Sequence, residues 1–508
     1  MWSELDYSLG RMVSYMGKAG ADVAALEAIA ATEGFISKDE SGVVVGKAEN
    51  GEMLISKSMD NVLVMGGSNT GKGVNTVIPT ALVWKDSAFF LDLKGEIWQL
   101  SAGYRKDGLK QKVIRFEPLS EDDSAARWNP LAEIRYGTIW EFDDATRIAN
   151  LMMGKDLCKE EGTFYRHLAS IFLSAIFMLF GNKYKKSGTL LPNMSDVMEF
   201  LAPPNERFRE ILNDILVYEL KKSRAEGTMK NVISQFDTIV KGNDESFEAI
   251  MKLIRDKLSI YGDKTVQKNL AASDFCIADL YDDNQKVSCY FVSSVKDSLA
   301  VSPIAKLFVS MLIDKAYDNS MFSTEMFFSG ELDKVVSQRR ILFLLNGFSM
   351  LGYCSIPLAL TNCSKRGVRF CLVDRDEYDI ARVYGAKHGL ARDYVLQVYF
   401  TPTGDMAADT ARAISERCGE KVLCDSKYLP QGRKRLNLTP EEILRLGGDD
   451  VLLLPVGEAP RIIKKFRYYD DSMFTGRLLV PPESSDLGRE IGTFEDVLAV
   501  LDGKCGPN

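Results

Sequence analysis

Short, strongly apolar runs alternate with stretches of helical periodicity along most of the 508-residue chain. Three such runs occupy residues 62–65, 87–92 and 112–116, and four more occupy residues 286–292, 340–345, 367–373 and 394–400. Each run is shorter than a typical helix and is bounded by turn-forming or charged residues, so each predicts a buried strand. Strands that alternate with helices predict an α/β fold with a mostly parallel sheet covered on both faces.

A different pattern occupies residues 140–280, where helical periodicity dominates and Pro203 and Pro204 interrupt it once. This pattern predicts an all-helical domain inserted into the α/β domain. The longest apolar run, residues 168–180, contains Ser170 and Ser174. It is shorter than the ~20 residues that span a bilayer, so we expect a core helix.

The strand at residues 62–65 leads into a glycine-rich loop, a lysine and a predicted helix. Glycines let a backbone wrap closely around phosphate oxygens, and the exposed N–H groups attract negative charge. Strand, loop and helix in this order predict a P-loop in which Lys72 reaches the β- and γ-phosphates of a nucleotide. The predicted phosphate-binding residues are Gly66, Gly67, Ser68, Asn69, Thr70, Gly71, Lys72 and Gly73.

Gly73 stands where Ser or Thr usually holds Mg²⁺ in a P-loop. Thr70, Thr76 or water remain alternatives for that contact. The next strand ends in Asp92, and Lys94 and Glu96 follow it. Ligands of open α/β sheets bind outside the carboxyl ends of the strands, so these three residues are candidates for the nucleotide or metal neighbourhood. A solvated turn is the alternative.

Composition excludes several classes of protein. The formal net charge is −8, which gives no overall basic signal for nucleic acid, although local patches stay open. Nine cysteines without a CxxC pair and only two histidines, His167 and His388, argue against a zinc site and favour reduced thiols in the cytoplasm. No residue is assigned as a direct metal ligand. The five tryptophans all precede residue 141 without a shared spacing, so we expect them to pack in the core.

These patterns divide the chain into five parts. Residues 1–40 form a lead-in helix, and residues 41–138 form the first part of the nucleotide-binding domain. Residues 139–282 form the all-α insertion, whose lysine clusters at 183–186 and 221–224 are solvated faces or contacts to DNA or protein. Residues 283–475 complete the nucleotide-binding domain, and a loosely held tail covers 476–508.

Several motifs occur in one order and resemble those of the type IV secretion coupling proteins, the conjugative-transfer ATPases. They lie at residues 66–79, 91–96, 127–131, 341–352, 367–370, 383–385, 397–400, 410–415, 438–442 and 464–470. The resemblance covers roughly residues 40–475. It implies a RecA-like P-loop nucleoside triphosphatase domain with an inserted all-α domain, ATP and Mg²⁺ as cofactors, and a hexameric ring. It also implies a cytoplasmic location at the inner or plasma membrane, with DNA or effector proteins as cargo.

Three departures from the family pattern affect the expected chemistry. The chain begins almost at the lead-in without membrane helices, so we expect a membrane protein partner or an anchor encoded elsewhere. The family places Asp-Glu after the strand at 341–345, where this chain has Asn346 and Gly347. A neutral amide is a poorer Mg²⁺ partner, and loss of a water-orienting base typically costs ~10²–10⁴ in rate. The family's polar sensor, usually Gln, corresponds to Asp374, which Arg375 is expected to neutralise unless Asp374 serves as a displaced acid.

Three hypotheses follow from this combination. The first is a coupling protein that binds ATP through Lys72, its loop and Asn346, and hydrolyses it weakly or not at all. The second is an active DNA-translocating hexamer that recruits Asp92, Glu96, Asp374 or a neighbouring subunit, with Arg369, Arg382 or Arg392 as a finger. The third is a non-enzymatic platform for substrates. Expected partners are further copies of the chain, the secretion channel, and relaxosome or effector proteins.

Overall fold

A twelve-stranded sheet forms the centre of the molecule, in the order β1-β3-β2-β14-β13-β10-β4-β9-β8-β5-β7-β6. The computed structural model describes residues 35–36, 41–56, 60–154, 163–187, 191–222, 228–317, 340–363, 366–386, 389–390, 395–423, 433–455 and 457–486. The strands are β1 (Phe35–Ile36), β2 (Val43–Lys47), β3 (Met53–Ser56), β4 (Asn61–Met65), β5 (Ser87–Asp92), β6 (Lys112–Phe116), β7 (Val287–Val292), β8 (Ile341–Asn346), β9 (Val368–Asp374), β10 (Val395–Tyr399), β11 (Glu420–Leu423), β12 (Arg433–Leu436), β13 (Asp450–Leu454) and β14 (Arg461–Lys464).

The seven strands from β10 to β6 in this order are all parallel, and they include every strand that the long apolar runs predict. Successive residues of β4 point into different cores. Leu63 and Met65 belong to one hydrophobic cluster, and Val62 and Val64 belong to the other. Burial on both faces explains why these strands are continuously apolar rather than alternating. The predicted α/β sheet with two covered faces is confirmed.

An antiparallel wing extends the sheet beyond β10. It pairs β10 with β13, β13 with β14, β14 with β2, β2 with β3 and β3 with β1. The long apolar runs do not include β13 and β14, whose four or five residues begin or end with charged side chains. A separate two-stranded hairpin, β11 with β12, is likewise absent from the prediction.

Helices fill the connections and the interval between β6 and β7. They are α1 (Ile78–Val83), α2 (Glu96–Gly103), α3 (Glu141–Met153), α4 (Thr163–Ser187), α5 (Met194–Leu201), α6 (Asn205–Lys222), α7 (Thr228–Val240), α8 (Asp244–Leu258), α9 (Lys264–Asn269), α10 (Ser298–Tyr317), α11 (Ile356–Asn362), α12 (Glu377–Tyr384), α13 (Ala407–Cys418), α14 (Pro440–Leu444) and α15 (Ser472–Thr475). A π-helical turn, Gly73–Val77, connects the glycine-rich loop to α1.

Helix α4 is the central helix of the interval between β6 and β7. Its stretch Phe164–Tyr184 has 21 residues and is the one segment among the described residues that is long and apolar enough to cross a membrane, and 61% of its most apolar window is buried inside the fold. The helix is therefore longer than the apolar run at 168–180 indicates. It packs mainly against α3, α7 and α8.

Two further predictions concern the burial of the tryptophans and the C-terminal stretch. Trp84, Trp98 and Trp128 are buried as expected, whereas Trp140 is 42% exposed beside Arg135. Within the predicted loose tail, Ser485 and Asp486 accept the N–H groups of Arg115 and Val113, so these two residues are held against the edge of β6. The lead-in helix at 1–40, apart from β1, lies outside the described residues, as do Trp2, His388 and residues 487–508.

Candidate nucleotide-binding site

The strand order decides which carboxyl ends lie beside the glycine-rich loop. At the end of β4, Met65 is in register with Asp374 of β9. On β8, Asn346 is in register with Val373 of β9 and with Asp92 of β5. Neighbouring strands are about 4.8 Å apart, so β9 lies about 5 Å from β4, β8 about 10 Å and β5 about 14 Å. Asp374 is therefore the nearest of the three predicted polar residues to the loop.

The loop after β4 is tightly enclosed on one side. The Gly66 N–H donates to the carbonyl oxygen of Arg375 at 3.2 Å, and the Thr70 hydroxyl donates to that of Gly67 at 2.8 Å. A Cβ on Gly67 would stand 1.6 Å from Oγ1 of Thr403, in the segment that follows β10. Only glycine fits at this close approach, which agrees with the predicted need for an unhindered backbone.

Lys72 folds back over this loop. Its Nζ donates to the carbonyl oxygens of Gly66 and Gly67, the latter at 2.8 Å. The pKa of Lys72 is lowered to about 8, mainly by burial, with a further lowering by Lys94 and Arg375 and an opposing effect of Asp374. The ammonium group thus occupies the mouth of the loop among other cations, a setting that favours a multiply charged anion.

Asp374 is buried, and its carboxylate accepts the backbone N–H groups of Ser349 at 2.9 Å and Arg375 at 2.8 Å. Burial raises the pKa of Asp374, and these hydrogen bonds oppose the shift. The Arg375 side chain pairs instead with Asp376 at 3.0 Å and Asp379 at 2.8 Å. The expectation that Arg375 neutralises Asp374 is therefore wrong, because the guanidinium points to the first turn of α12.

Asp92 bonds to the helix that follows it rather than to the glycine-rich loop. Its Oδ2 accepts the Trp98 N–H of α2 at 2.8 Å, and its buried Oδ1 has no hydrogen-bond partner among the described residues. Burial raises the pKa of Asp92 to about 6, against backbone N–H groups that lower it. Because Asp92 lies three strands from β4 and caps α2, the structure does not bring it to the glycine-rich loop.

Asn346 ends β8 and is partly exposed, and Gly347 follows with φ of 79°. The Gly347 N–H donates to the carbonyl oxygen of Val373 on β9 at 2.8 Å, and the 3₁₀ turn Phe348–Leu351 follows in the chain. A non-glycine side chain at residue 347 would be strained in this conformation. The backbone here is thus suited to the Asn-Gly sequence and unsuited to a Glu at the second position.

Of the three arginines considered as fingers, Arg369 is excluded. It is fully buried near the opposite end of β9, where it donates to carbonyl oxygens of Ser56 and Asp60 at 2.8 Å. Arg382 lies on α12 with 67% of its side chain exposed, and Arg392 lies outside the described residues.

The residues present fit a magnesium ion bound together with a nucleotide. Mg²⁺ usually keeps several waters and takes one or two carboxylates plus phosphate oxygens. Asp374 supplies a carboxylate beside the loop, whereas Gly73 has no side-chain oxygen. No group of three or more His, Cys, Asp or Glu residues that could hold a metal occurs in the part of the chain that the structure describes.

Lys465 is a cation beside the loop that the sequence did not predict. Lys465 follows β14, about 390 residues after the loop in the chain, and its side chain lies alongside Gly71. The only local signal for it was the paired lysines at 464 and 465, which occur in the segment that resembles the coupling proteins.

Residues 21–487 match the family described as Type IV secretory system Conjugative DNA transfer. The chain is 28% identical to the conjugal transfer protein TraG of Escherichia coli over 495 residues, which cover 89% of this chain and 74% of that protein. It is 24% identical to the protein VirD4 of Agrobacterium fabrum (strain C58) over 478 residues, which cover 90% of this chain and 66% of that protein.

Solved structures of the plasmid coupling protein TrwB have the same fold. The complex of TrwB with ADP and Mg²⁺ has a TM-score of 0.63 and 16% sequence identity, and it covers 85% of this chain and 91% of that chain. This likeness confirms the predicted RecA-like fold with a mostly parallel sheet and inserted helices. Since the family match also spans most of the sequence, the chain belongs to the type IV secretion coupling proteins for conjugative DNA transfer.

Proposed function

We propose that this coupling protein binds ATP with Mg²⁺ at the loop from Gly66 to Gly73 and hydrolyses it slowly or not at all. The observation that carries the proposal is the position of Lys72. Its ammonium group lies over the loop carbonyls, with Asp374 as the strongest nearby source of negative charge. The complex of TrwB with ADP and Mg²⁺ supports the same ligands here.

Each residue of the site has a proposed role. Lys72 exchanges its carbonyl partners for phosphate oxygens, and the loop N–H groups, including those of Ser68, Asn69 and Thr70, bind the phosphates. Mg²⁺ supplies charge neutralisation between the phosphates. Asp374 holds that ion through water, and Asn346 lies at the edge of the site without a charge to contribute.

Slow hydrolysis follows from the missing acidic pair. Typical enzymes turn over at about 1–10³ per second, and loss of a water-orienting base costs about 10²–10⁴. Asp374 is the one predicted acid on a strand directly beside β4, but its carboxylate is already engaged by two N–H groups. From a median enzyme turnover of about 10 per second, we therefore expect roughly 10⁻¹ per second or slower.

The experiment measures ATP binding and ATP hydrolysis side by side, with and without single- and double-stranded DNA. Wild-type protein should bind a fluorescent ATP analogue with micromolar affinity, and Lys72→Ala should weaken binding by at least about tenfold. Lys85→Ala, a change of an exposed lysine two residues before β5, is the matched control and should bind as wild type does. Absence of binding by the wild type would favour the non-enzymatic platform and remove this proposal.

An active translocating ATPase is the second candidate, and the position of Asp374 beside β4 is the observation that favours it. It requires turnover above about 1 per second that DNA stimulates. Asp374→Asn should then abolish turnover, while Asp92→Asn, three strands away, should retain it. If both variants keep full DNA-stimulated turnover, neither predicted acid acts in hydrolysis.

The wider role rests on the family and on the similarity to TraG and VirD4. In this proposal a hexamer of the chain stands at the cytoplasmic face of the inner or plasma membrane, beside a membrane protein partner. It brings DNA, or relaxosome and effector proteins, to the secretion channel. The helical insertion at 139–282 is the proposed substrate-contacting part, and the parts at 41–138 and 283–475 form the nucleotide-binding domain.

A further inference from the structure

Lys465 lies against the glycine-rich loop, although it comes from the antiparallel wing. Its Cδ, Cε and Nζ atoms are 3.6, 3.7 and 3.8 Å from the point where a Cβ on Gly71 would stand. Gly71 directly precedes Lys72 and has φ of 104°. The Lys465 side chain therefore runs alongside the loop residue that directly precedes Lys72.

The backbone on either side of this lysine is fixed to the loop and to the wing. The Phe466 N–H donates to Oδ1 of the fully buried Asn75 at 2.7 Å, and the Asn75 N–H donates to the Gly71 carbonyl oxygen at 2.8 Å. The Lys465 N–H donates to the carbonyl oxygen of Asp449 at 2.8 Å. Two connected hydrogen bonds thus hold Lys465 in place relative to Gly71.

The ammonium group of Lys465 differs from its basic neighbours in what it binds. Lys464 pairs with Asp450 at 2.6 Å, and Arg467 pairs with Asp449. Lys465 donates to the neutral carbonyl oxygen of Gly448 at 2.5 Å, and its Nζ lies 5.5 Å from the ring centroid of Phe400. Burial lowers the pKa of Lys465, so its environment offers less stabilisation to the charge than water does.

We propose that Lys465 is a second phosphate-binding lysine of the nucleotide site, which leaves the Gly448 carbonyl and binds the nucleotide's phosphate oxygens. This inference rests on the proposed ATP binding at the same loop. Lys465 lies beside Gly71 rather than beside the ammonium group of Lys72, which is the group expected to reach the γ-phosphate. In this proposal Lys465 therefore contacts the phosphates that ADP and ATP share. The released Gly448 carbonyl belongs to the turn before β13, so nucleotide binding also changes a contact of the antiparallel wing.

The test compares Lys465→Met with Lys464→Met, a neighbouring change that removes the same charge from a side chain that faces Asp450. Fluorescent ADP and ATP analogues are titrated into each full-length variant. We expect Lys465→Met to raise the Kd of both nucleotides by about tenfold, as for a lost charge-assisted hydrogen bond. Lys464→Met should change either Kd by less than about twofold, and Lys465→Arg should restore most of the affinity.

Thermal unfolding without nucleotide serves as the folding control, and the Lys465 variants should melt within a few degrees of the wild type. Wild-type affinity in Lys465→Met, or an equal loss in both methionine variants, would overturn the inference while the proposed function stands. A loss confined to ATP would contradict contact with the shared phosphates. If the wild-type chain binds neither nucleotide, the proposed function fails and this inference fails with it.

Discussion

Gly73 stands at the start of the helical turn that follows Lys72, and a Cβ built there has nothing within 4 Å. A threonine therefore fits without steric cost and would place a hydroxyl where P-loops usually contact Mg²⁺. We expect Gly73→Thr to strengthen ATP binding by about 1 kcal/mol, or roughly fivefold, in Mg²⁺ and not in EDTA. Titrations in both buffers measure this difference. Gly73→Ala is the control for helix propensity, and an equal gain in that variant would contradict a metal contact.

Asp92 provides a residue-scale prediction about pH. Burial raises its folded-state pKa from 3.8 to about 6, so between these values the folded chain holds a proton that the unfolded chain releases. Stability due to this group is therefore greatest below about pH 4 and is lost as pH rises through about 6. About two pKa units correspond to roughly 3 kcal/mol.

Asp92→Asn removes this titration but keeps an acceptor for the Trp98 N–H. The stability of the wild type relative to the variant should fall by about 3 kcal/mol between about pH 4 and pH 7. Unfolding midpoints of both proteins across this range provide the measurement. Parallel pH profiles for the two proteins would show that Asp92 does not titrate as its burial implies.

At the scale of elements, α12 and α13 are joined by a network of three side chains. Arg417 of α13 donates to Tyr399 Oη at 2.8 Å and to Glu377 Oε2 at 3.2 Å, and it forms a second bond to Glu377. Glu377 begins α12, three residues after Asp374, and Tyr399 ends β10. The network therefore fixes the helix that follows Asp374 against the strand beside β4.

We expect Arg417→Met to destabilise the protein by about 2–3 kcal/mol, because a partly buried carboxylate loses a charged donor. Arg412→Met on the same helix is the matched control. Its pair with Asp409 is more than half exposed, so its loss should cost less than about 0.5 kcal/mol. Thermal unfolding of Arg417→Met, Glu377→Gln and the double variant gives a double-mutant cycle, which measures the interaction energy between the two side chains. Strictly additive losses would indicate that the two helices are not coupled through this pair.

At the scale of the whole molecule, the sheet ends at β6, and residues near the end of the described chain cover that edge. The Val113 N–H donates to Asp486 Oδ2 at 3.0 Å, and the Arg115 N–H donates to Ser485 Oγ at 2.9 Å. Open strand edges promote pairing with other chains. The segment at 485–486 thus both stabilises the sheet and blocks that pairing.

Replacing Ser485 and Asp486 together by Ala removes the two hydrogen bonds to β6 N–H groups, the bond from the Ser485 hydroxyl to the Arg115 carbonyl oxygen, and the ion pair of Asp486 with Lys106. The double change should cost about 2–4 kcal/mol, at about 1 kcal/mol for each lost hydrogen bond. Exposed N–H groups on β6 should also increase concentration-dependent association, which sedimentation velocity measures alongside thermal unfolding. Ser484→Ala, at an exposed neighbouring position, is the control and should leave both properties unchanged. A double variant that melts and sediments like the wild type would show that this contact does not protect the edge.

The sequence alone predicted the seven parallel strands, the glycine-rich loop and the helical insertion. These features depend on local sequence. A continuously apolar strand such as β4 is buried whichever strands flank it, and a glycine pair such as Gly66–Gly67 permits a tight loop whatever surrounds it. Strands β13 and β14 were not predictable in this way, since they are short and their charged residues mark them as loops.

Only the tertiary structure decided which side chains surround the loop. Strand order is a property of packing over hundreds of residues, and it placed Asp374 beside β4, Asn346 one strand further and Asp92 further still. Packing also turned Arg375 towards α12, buried Arg369 at the far end of β9 and carried Lys465 to Gly71. The sequence determined that a phosphate loop exists, and the fold determined its charged neighbours, because those contacts join segments with no local relation in the chain.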